Sequence, residues 1–278
     1  MRNSIFRLMV VFVSTLLILL ATSAEAGQRA PASSESTEAG FDPRDFSGIW
    51  DRDGGDRGFG PADSMPRLTP AGEERASVML SPGRSRLPDI IKNVDRPELS
   101  NDPAFSCNPM GFPRLILDIA HDYHEWHHLP DRMMQVIQES RMLREIWMDG
   151  RAVPSAEEID NLGPMWYGHS VGRWEGDTLV ITTVGLDDRA LLDSFLLPKS
   201  FNARIEERYR RVDADTLELQ LTLSDPDYYT ETWVSDVKRW RRVPRENMTF
   251  YGWFGMLSGL GELICAPMNA GGTNARGG

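Results

Sequence analysis

The chain has 278 residues, of which 41% are hydrophobic and 26% are charged, and its formal net charge at pH 7 is −11. Such an acidic protein is repelled by the phosphates of nucleic acids and by anionic lipid surfaces, so we expect neither as a partner. Because only 2 cysteines are present, a zinc-type cysteine cluster is excluded. The sequence also lacks a phosphate-cradling loop and a dinucleotide fingerprint, and we expect no cofactor.

The first 26 residues carry the pattern of a secretory signal peptide. Arg2 and Arg7 form a positive segment, residues 8–21 are an almost unbroken apolar run, and residues 24–26 (Ala-Glu-Ala) form a small-residue cleavage site. No later apolar run approaches the roughly 18 residues that a membrane span requires. The sequence therefore predicts a periplasmic or secreted protein with no membrane span after the signal is removed.

The mature chain is predicted to form one domain. Residues 27–45 are rich in Gly, Ser, Ala, Pro and Glu, which is typical of a flexible leader. Residues 46–265 are predicted to form a single β-rich domain, and residues 266–278 are predicted to be a disordered tail. Two cysteines in an exported protein are usually paired. A disulfide between Cys107 and Cys265 is therefore predicted, with two separate buried thiols as the alternative.

The N-terminal part of the domain predicts a short helix followed by an irregular arm. Thr69 can cap a helix, Pro70 suits the first helical position, and the acidic pair at 73–74 complements the helix dipole. Residues 81–113 contain six prolines and show little periodicity. This segment therefore predicts an irregular arm that covers part of the domain.

From residue 114 onward, short segments of alternating apolar and polar residues are separated by turns. In 216–223, for example, all four leucines fall on one face. The predicted strands are 114–120, 123–129, 133–140, 142–148, 169–174, 178–184, 203–211, 216–223 and 230–240. This pattern predicts an all-β fold, an antiparallel meander that forms a lipocalin-like barrel or a strongly curled sheet.

A short motif near the start of the domain suggests how a barrel would close. Residues 48–50 (Gly-Ile-Trp) resemble the Gly-x-Trp opening of lipocalin-type barrels. That resemblance implies that Trp50 closes the barrel floor against an arginine from a late strand. Arg239, Arg241 and Arg242 are the candidates for this arginine.

A second set of motifs extends through most of the mature chain. The matching segments are 68–73, 101–103 leading to Cys107, 111–114, 149–151, 168–180 and 207–213. With them, the chain from about Phe46 to Trp240 resembles a widespread family of exported bacterial proteins of unassigned function. The resemblance implies the β-rich fold and the exported location. Members often carry a histidine before the strand that begins near Glu207, but residues 198–201 are Pro-Lys-Ser-Phe here, so no role of that histidine is transferred.

Residues 124–128 (His-Glu-Trp-His-His) match the H-E-x-x-H pattern of zinc proteases. That chemistry needs two histidines one helical turn apart, whereas Pro130 and the neighbouring segments favour a strand. On a strand, His124 and His128 would lie about 13 Å apart, too far for one ion. We therefore predict no metal site in this segment, although incidental binding of a transition metal between neighbouring strands stays open.

The hairpin predicted around residues 175–177 places His169 at the start of its first arm. An imidazole titrates near neutral pH, so His169 is a candidate general acid or base. Its candidate partners are Asp187, just after the next strand, and Glu207. The alternative is a histidine whose hydrogen bond to a carboxylate only fixes the hairpin.

Four further residues are candidate ligand-binding groups. Trp166 and Tyr167 directly precede the hairpin and are suited to a pocket mouth, although aromatic residues most often fill the core. Arg144 would mark a polar site if it pointed into the barrel, but a cross-strand ion pair on a solvated face is the alternative. Alternation places Tyr209 on the same face as Glu207, where the two could orient a carbonyl or hydroxyl group.

These observations leave three functional hypotheses. The first is an exported barrel that binds an apolar or amphipathic small molecule in its interior. The second is a cofactor-independent isomerase, hydratase or hydrolase that uses His169 with Asp187 or Glu207. The third is a structural or partner-binding envelope protein with a filled interior. The sequence does not determine the oligomeric state, and the geometry around His169 distinguishes the hypotheses.

Overall fold

The computed structural model describes residues 41–83, 85–118, 123–137 and 142–244. The predicted signal peptide, most of the predicted leader, the predicted tail and Cys265 lie outside these residues. The signal peptide and the disulfide with Cys107 therefore stay predictions. No helix in the described ranges is long and apolar enough to cross a membrane.

The described residues form twelve strands and three α-helices. The strands are β1 (Gly48–Arg52), β2 (Leu80–Ser81), β3 (Lys92–Asn93), β4 (His124–His128), β5 (Arg132–Ile137), β6 (Met142–Trp147), β7 (His169–Glu175), β8 (Thr178–Val184), β9 (Arg204–Arg211), β10 (Thr216–Ser224), β11 (Trp233–Val234) and β12 (Lys238–Arg242). The helices are α1 (Pro70–Ser77), α2 (Arg114–Asp118) and α3 (Ala156–Leu162).

Nine of these strands close into a barrel, as the described residues show. The order around the wall is β10, β12, β1, β4, β5, β6, β7, β8 and β9, and β9 pairs again with β10. The short strand β11 extends the sheet from one end of β10. The predicted β-barrel is therefore confirmed.

The barrel wall is mixed, which the meander pattern did not predict. Strands β6 and β7 pair in parallel, whereas the other neighbours in the wall are antiparallel. A two-residue turn can join only antiparallel strands, while a long connection allows the next strand to enter in the same direction. The connection 148–168, which contains α3, provides that crossover.

One predicted strand is wrong. Residues 114–120 were expected to be extended, but Arg114–Asp118 form α2. The apolar run Leu115–Leu117 is almost fully buried, with exposed fractions of 1–2%. A short continuous apolar run fits a buried helical turn as well as a buried strand, so alternation could not separate the two. The predicted strand 230–240 is also interrupted, because only β11 and β12 are regular in that segment.

The predicted short helix is confirmed by α1. Thr69 Oγ1 accepts a hydrogen bond from the Gly72 amide at 3.1 Å, and Pro70 occupies the first helical position. The helix packs closely on the chain at Tyr228, since a Cβ added to Gly72 would lie 2.4 Å from the Tyr228 carbonyl oxygen. A glycine at this position allows the close approach.

Trp50, on strand β1, is buried beside two arginine side chains. Trp50 is fully buried, and its indole N–H donates to the Phe46 carbonyl oxygen at 2.8 Å. The guanidinium groups of Arg211 and Arg242 each lie 5.7 Å from the centre of the Trp50 ring. Of the three arginines considered from the sequence, Arg242 is the one beside Trp50, and its Nη2 donates to the Ser47 carbonyl oxygen at 2.8 Å.

Candidate functional site

A cleft interrupts the barrel wall where β6 meets β7. The parallel pairing joins only Ile146 to Ser170 and Trp147 to Val171, so the first part of β6 has no partner on β7 among the described residues. The crossover 148–168 frames the resulting space, which has a volume of about 610 Å³. Small-molecule sites in proteins span ≈ 300–1,000 Å³, so this β6–β7 cleft has a suitable size.

The floor of the cleft includes Arg144, which is one partner of an ion pair inside the barrel. Arg144 and Ser170 line the cleft, although their side chains point inward and are almost fully buried. Arg144 donates from Nη1 to Glu207 Oε2 at 2.8 Å and from Nη2 to Glu207 Oε1 at 2.5 Å. The guanidinium also lies 4.0 Å from the centre of the Phe112 ring. A bidentate pair of this geometry fixes both groups.

Neutral polar side chains complete the hydrogen bonds of the ion pair. Arg144 Nη2 donates to Thr183 Oγ1 at 2.7 Å and to Ser170 Oγ at 2.9 Å. Its Nη1 lies 3.4 Å from Gln135 Oε1. Buried charges are tolerated when they are paired and hydrogen-bonded in this way. Of the two positions left open for Arg144, the structure thus shows the inward one, and its charge is matched by Glu207 within a polar network.

His124 extends the network from β5 to the neighbouring strand β4. Its Nδ1 lies 3.4 Å from Gln135 Nε2, and the ring is 2% exposed. Burial, together with the nearby charges of Arg52 and Arg144, lowers the pKa of His124 to about 3. The imidazole is therefore neutral and accepts from Gln135.

The segment that matches the zinc-protease pattern is strand β4, so its extended interpretation is confirmed. His128 accepts a hydrogen bond from the Phe46 amide at 3.1 Å, and burial lowers its pKa. No group of three His, Cys, Asp or Glu side chains is placed to hold a metal ion in the part of the chain that the structure describes.

His169 lines the cleft from the outer face of β7. Ser170 points into the barrel, so the alternating His169 points outward, where it is half-buried. A Cβ added to Gly185 would lie 2.9 Å from His169 Cδ2 and 3.2 Å from Ile159 Cγ2, which places α3 beside the imidazole. His169 Nε2 is buried and has no hydrogen-bond partner among the described residues.

The structure does not bring His169 together with either predicted carboxylate. Both oxygens of Glu207 are bound by Arg144 inside the barrel. Asp187 accepts from Arg189 Nε at 2.9 Å and from Arg189 Nη2 at 2.5 Å. These bonds from Arg189 lower the pKa of Asp187 against the opposing effect of burial. In the described residues, each candidate carboxylate is thus committed to an arginine.

The predicted ligand-binding aromatic residues are found in three different surroundings. Tyr209 points inward as predicted, but it is fully buried, and its ring centre lies 5.2 Å from that of Trp126. Burial raises the pKa of Tyr209 well above its ordinary value. Tyr167 lines the β6–β7 cleft, whereas Trp166 lines a separate cavity near α1. Trp166 and Tyr167, although adjacent in the sequence, therefore line different cavities.

Sequence reasoning missed Leu143, Trp147 and Leu162 in the apolar wall of the cleft. Leu143, Leu162 and Met165 line it and are 53%, 62% and 49% exposed. Trp147 also lines it and stacks at 3.8 Å on the Arg151 guanidinium. Both faces of β6 carry apolar residues, so alternation gave no signal for Leu143 or Trp147.

Fold and site together define a closed mixed β-barrel whose wall opens into a lateral, part-apolar cleft. Comparison of the chain with protein-family models, with curated proteins and with solved structures gives no match. The functional argument therefore depends on the geometry of the site.

Proposed function

We propose that this protein binds an uncharged amphipathic small molecule in the β6–β7 cleft. One observation carries the proposal: the cleft combines exposed apolar side chains with a buried imidazole nitrogen, His169 Nε2, that lacks a hydrogen-bond partner among the described residues. Pockets that bind small molecules commonly pair an apolar lining with a few placed polar groups.

The apolar side of the cleft supports an apolar body for the ligand. Leu143, Leu162 and Met165 are three of the large hydrophobic residues that expose more than a third of their surface, and all three line this one space. Burying apolar surface contributes roughly 25 cal/mol per Å². An apolar ligand therefore gains from covering these side chains.

The charges of the cleft support a ligand without net charge. Arg144 is paired with Glu207, and Arg151 Nη2 lies 2.6 Å from Asp149 Oδ2. Glu145 Oε1 lies 3.3 Å from Arg132 Nε. The buried one of these cations, Arg144, is already matched by Glu207, so a charged ligand finds no unpaired buried counter-charge there.

His169 supports a hydroxyl or carbonyl group on the ligand. A neutral imidazole nitrogen either donates or accepts, depending on the tautomer. A hydroxyl or carbonyl oxygen placed at Nε2 would satisfy this nitrogen without adding charge. Because neither Asp187 nor Glu207 is hydrogen-bonded to His169 in the described residues, the geometry favours binding over acid–base catalysis.

The proposed location differs from the interior expected from the sequence. Near β1 the barrel core is occupied by large side chains, among them Trp50, Trp126, Tyr209 and Trp240, each at most 1% exposed. The cleft instead reaches the wall from outside and ends on Arg144.

A dye-binding experiment tests the proposal. Nile red is uncharged and apolar, and its fluorescence rises in apolar surroundings, so it is titrated against the intact protein. Leu143→Glu places a charge in the cleft, and Val234→Glu makes the same change at another exposed strand position, 48% exposed on β11. We expect Leu143→Glu to weaken binding at least about tenfold, equivalent to about 1.4 kcal/mol, and Val234→Glu to leave it unchanged.

Two results would overturn this proposal. One is wild-type protein that does not bind Nile red, and the other is equal binding by the two variants. Circular dichroism and thermal unfolding of both variants confirm that the comparison is made between folded proteins.

A further inference from the structure

A second cavity, separate from the β6–β7 cleft, lies between α1 and the segment that holds Trp166. Its volume is about 330 Å³, near the lower end of the range for small-molecule sites. Arg75 and Arg189 line it, and no acidic side chain is among its described lining residues. Asp187 offsets the charge of Arg189, whereas the printed contacts of Arg75 in the described residues are uncharged acceptors, so Arg75 is the cation that favours a negatively charged ligand here.

Arg75 is held by weak acceptors. Its Nη1 donates to the Met79 thioether sulfur at 3.1 Å, and its Nη2 donates to the Asp188 carbonyl oxygen at 3.4 Å. A thioether is a weak acceptor, and the second bond is long. A guanidinium presents five donors in a planar fork that matches carboxylate and phosphate oxygens. Arg75 therefore retains capacity for a stronger, charged acceptor.

Arg189 is fixed in place at the opposite side of the cavity. Asp187 binds its Nε and Nη2, and the guanidinium lies 4.8 Å from the centre of the Trp166 ring. This double attachment leaves Nη1 outside the pair with Asp187. Because the side chain is already ordered, little conformational entropy is lost when a ligand contacts it.

Neutral polar groups complete the lining. Ser106 supplies a hydroxyl group, and Asn108 supplies an amide whose Nδ2 also donates to the Pro103 carbonyl oxygen at 3.2 Å. Asn101 is fixed from both ends of its amide, by the Leu80 amide and by the Val78 carbonyl oxygen. Hydroxyl and amide donors on a rigid frame are suited to the remaining oxygens of an anion.

From these contacts we propose that the cavity binds a small molecule through one oxyanion group, a carboxylate or a phosphate, with Arg75 as the principal contact and Arg189 as the second. The size of the cavity limits the ligand to the oxyanion and a small substituent. The site is distinct from the β6–β7 cleft, because the two spaces share no lining residue.

Calorimetric titration of the full chain tests the proposal with two probes, inorganic phosphate and acetate, at pH 7 and constant ionic strength. Arg75→Gln removes the principal contact. Arg96→Gln is the matched control, since Arg96 is a 65% exposed arginine that does not line the cavity. We expect the wild type and Arg96→Gln to bind one of the probes, and Arg75→Gln to bind it at least about tenfold more weakly.

The outcomes separate the two sources of the oxyanion. Binding of phosphate alone assigns a phosphate ligand, and binding of acetate alone assigns a carboxylate. Binding of neither probe, or equal weakening by the two variants, would overturn the proposal. If Arg75→Gln does not fold, Arg75→Lys provides the test, because it keeps the charge but loses the planar fork and should bind with intermediate affinity. Nile red binding in the cleft should be unchanged in every folded variant.

Discussion

Strand β9 contributes to arginine–carboxylate pairs on both faces of the barrel wall. Glu207 points inward and binds Arg144, and both side chains are at most 2% exposed. The next residue, Arg208, points outward and binds Glu175 at 2.8 Å, with side chains 39% and 40% exposed. The two pairs use the same chemistry at neighbouring positions, so their different surroundings can be compared directly.

The comparison illustrates that burial, rather than contact distance, decides how much folding stability is lost when one partner of an ion pair is removed. Water can replace either partner of the outer pair, so such pairs contribute little to stability. Inside the barrel, loss of one partner leaves a charge that no water can reach. The inner pair also positions Ser170 and Arg144 at the floor of the β6–β7 cleft, whereas the outer pair contacts solvent.

The largest expected effect comes from removing the inner carboxylate. Glu207→Gln leaves the Arg144 guanidinium buried without a counter-charge, and we expect a loss of about 3–5 kcal/mol in the free energy of unfolding. Urea denaturation measures this loss. The matched control is Glu175→Gln on the outer face, which should shift the unfolding midpoint far less. Equal shifts for the two variants would contradict the comparison.

The second-largest expected effect is a pH dependence of the free energy of unfolding, caused by the buried residue His124. The pKa of His124 is about 3 in the folded protein and about 6.5 in the unfolded chain, because burial disfavours the charged ring. The unfolded chain therefore binds an extra proton below pH 6.5, and stability falls as the pH decreases from 6.5 towards 3. From pH 7 to pH 5 this residue should account for a loss of about 2 kcal/mol.

The matched variant for this prediction is His124→Asn, which keeps an acceptor for Gln135 but does not titrate. Denaturation curves collected from pH 7 to pH 5 should show a smaller loss for the variant than for the wild type. Parallel losses in the two proteins would mean that His124 is charged in the folded state.

The smallest expected effect is a pH-dependent contribution of the exposed residue Glu175 to stability, in a lower pH range than that of His124. Hydrogen bonds from Arg208 and Arg173 lower the pKa of Glu175 below its ordinary value of 4.5. Its contribution is complete above pH 4.5 and is lost as the pH falls through the lowered value. The small difference between wild type and Glu175→Gln should therefore vanish in acid, and it should shrink in high salt because the pair is exposed. A difference that grows below pH 4.5 would refute this assignment.

Alternation in the sequence predicted which face each residue of β9 occupies. Glu207 and Tyr209 point inward and Arg208 points outward, because successive strand residues face opposite sides whatever the partner strand is. The same logic correctly placed the leucines of β10. Local turn chemistry was equally informative, since the hairpin of β7 and β8 and the cap of α1 form where the sequence predicts them.

The sequence-based predictions that failed concern features that depend on contacts between segments far apart in the chain. Alternation does not reveal which strands become neighbours, so the parallel pairing of β6 with β7, and the cleft beside it, had no local signal. For the same reason, Trp166 and Tyr167 were expected to share a pocket but line different cavities. The sequence also gives no sign that Arg144, 63 positions from Glu207, binds both carboxylate oxygens of that residue. Glu207 is therefore not a partner of His169 in the described residues.

The two-residue pairing of β6 with β7 has a consequence for how the wall opens. Local opening of a protein requires less free energy where fewer hydrogen bonds and contacts must break. Among the junctions between neighbouring barrel strands in the described wall, this one has the fewest paired residues, whereas β1 pairs through three residues with β4 and through three with β12. We therefore expect local opening of the described wall to begin at this junction, which borders the cleft in which we propose that a small molecule binds.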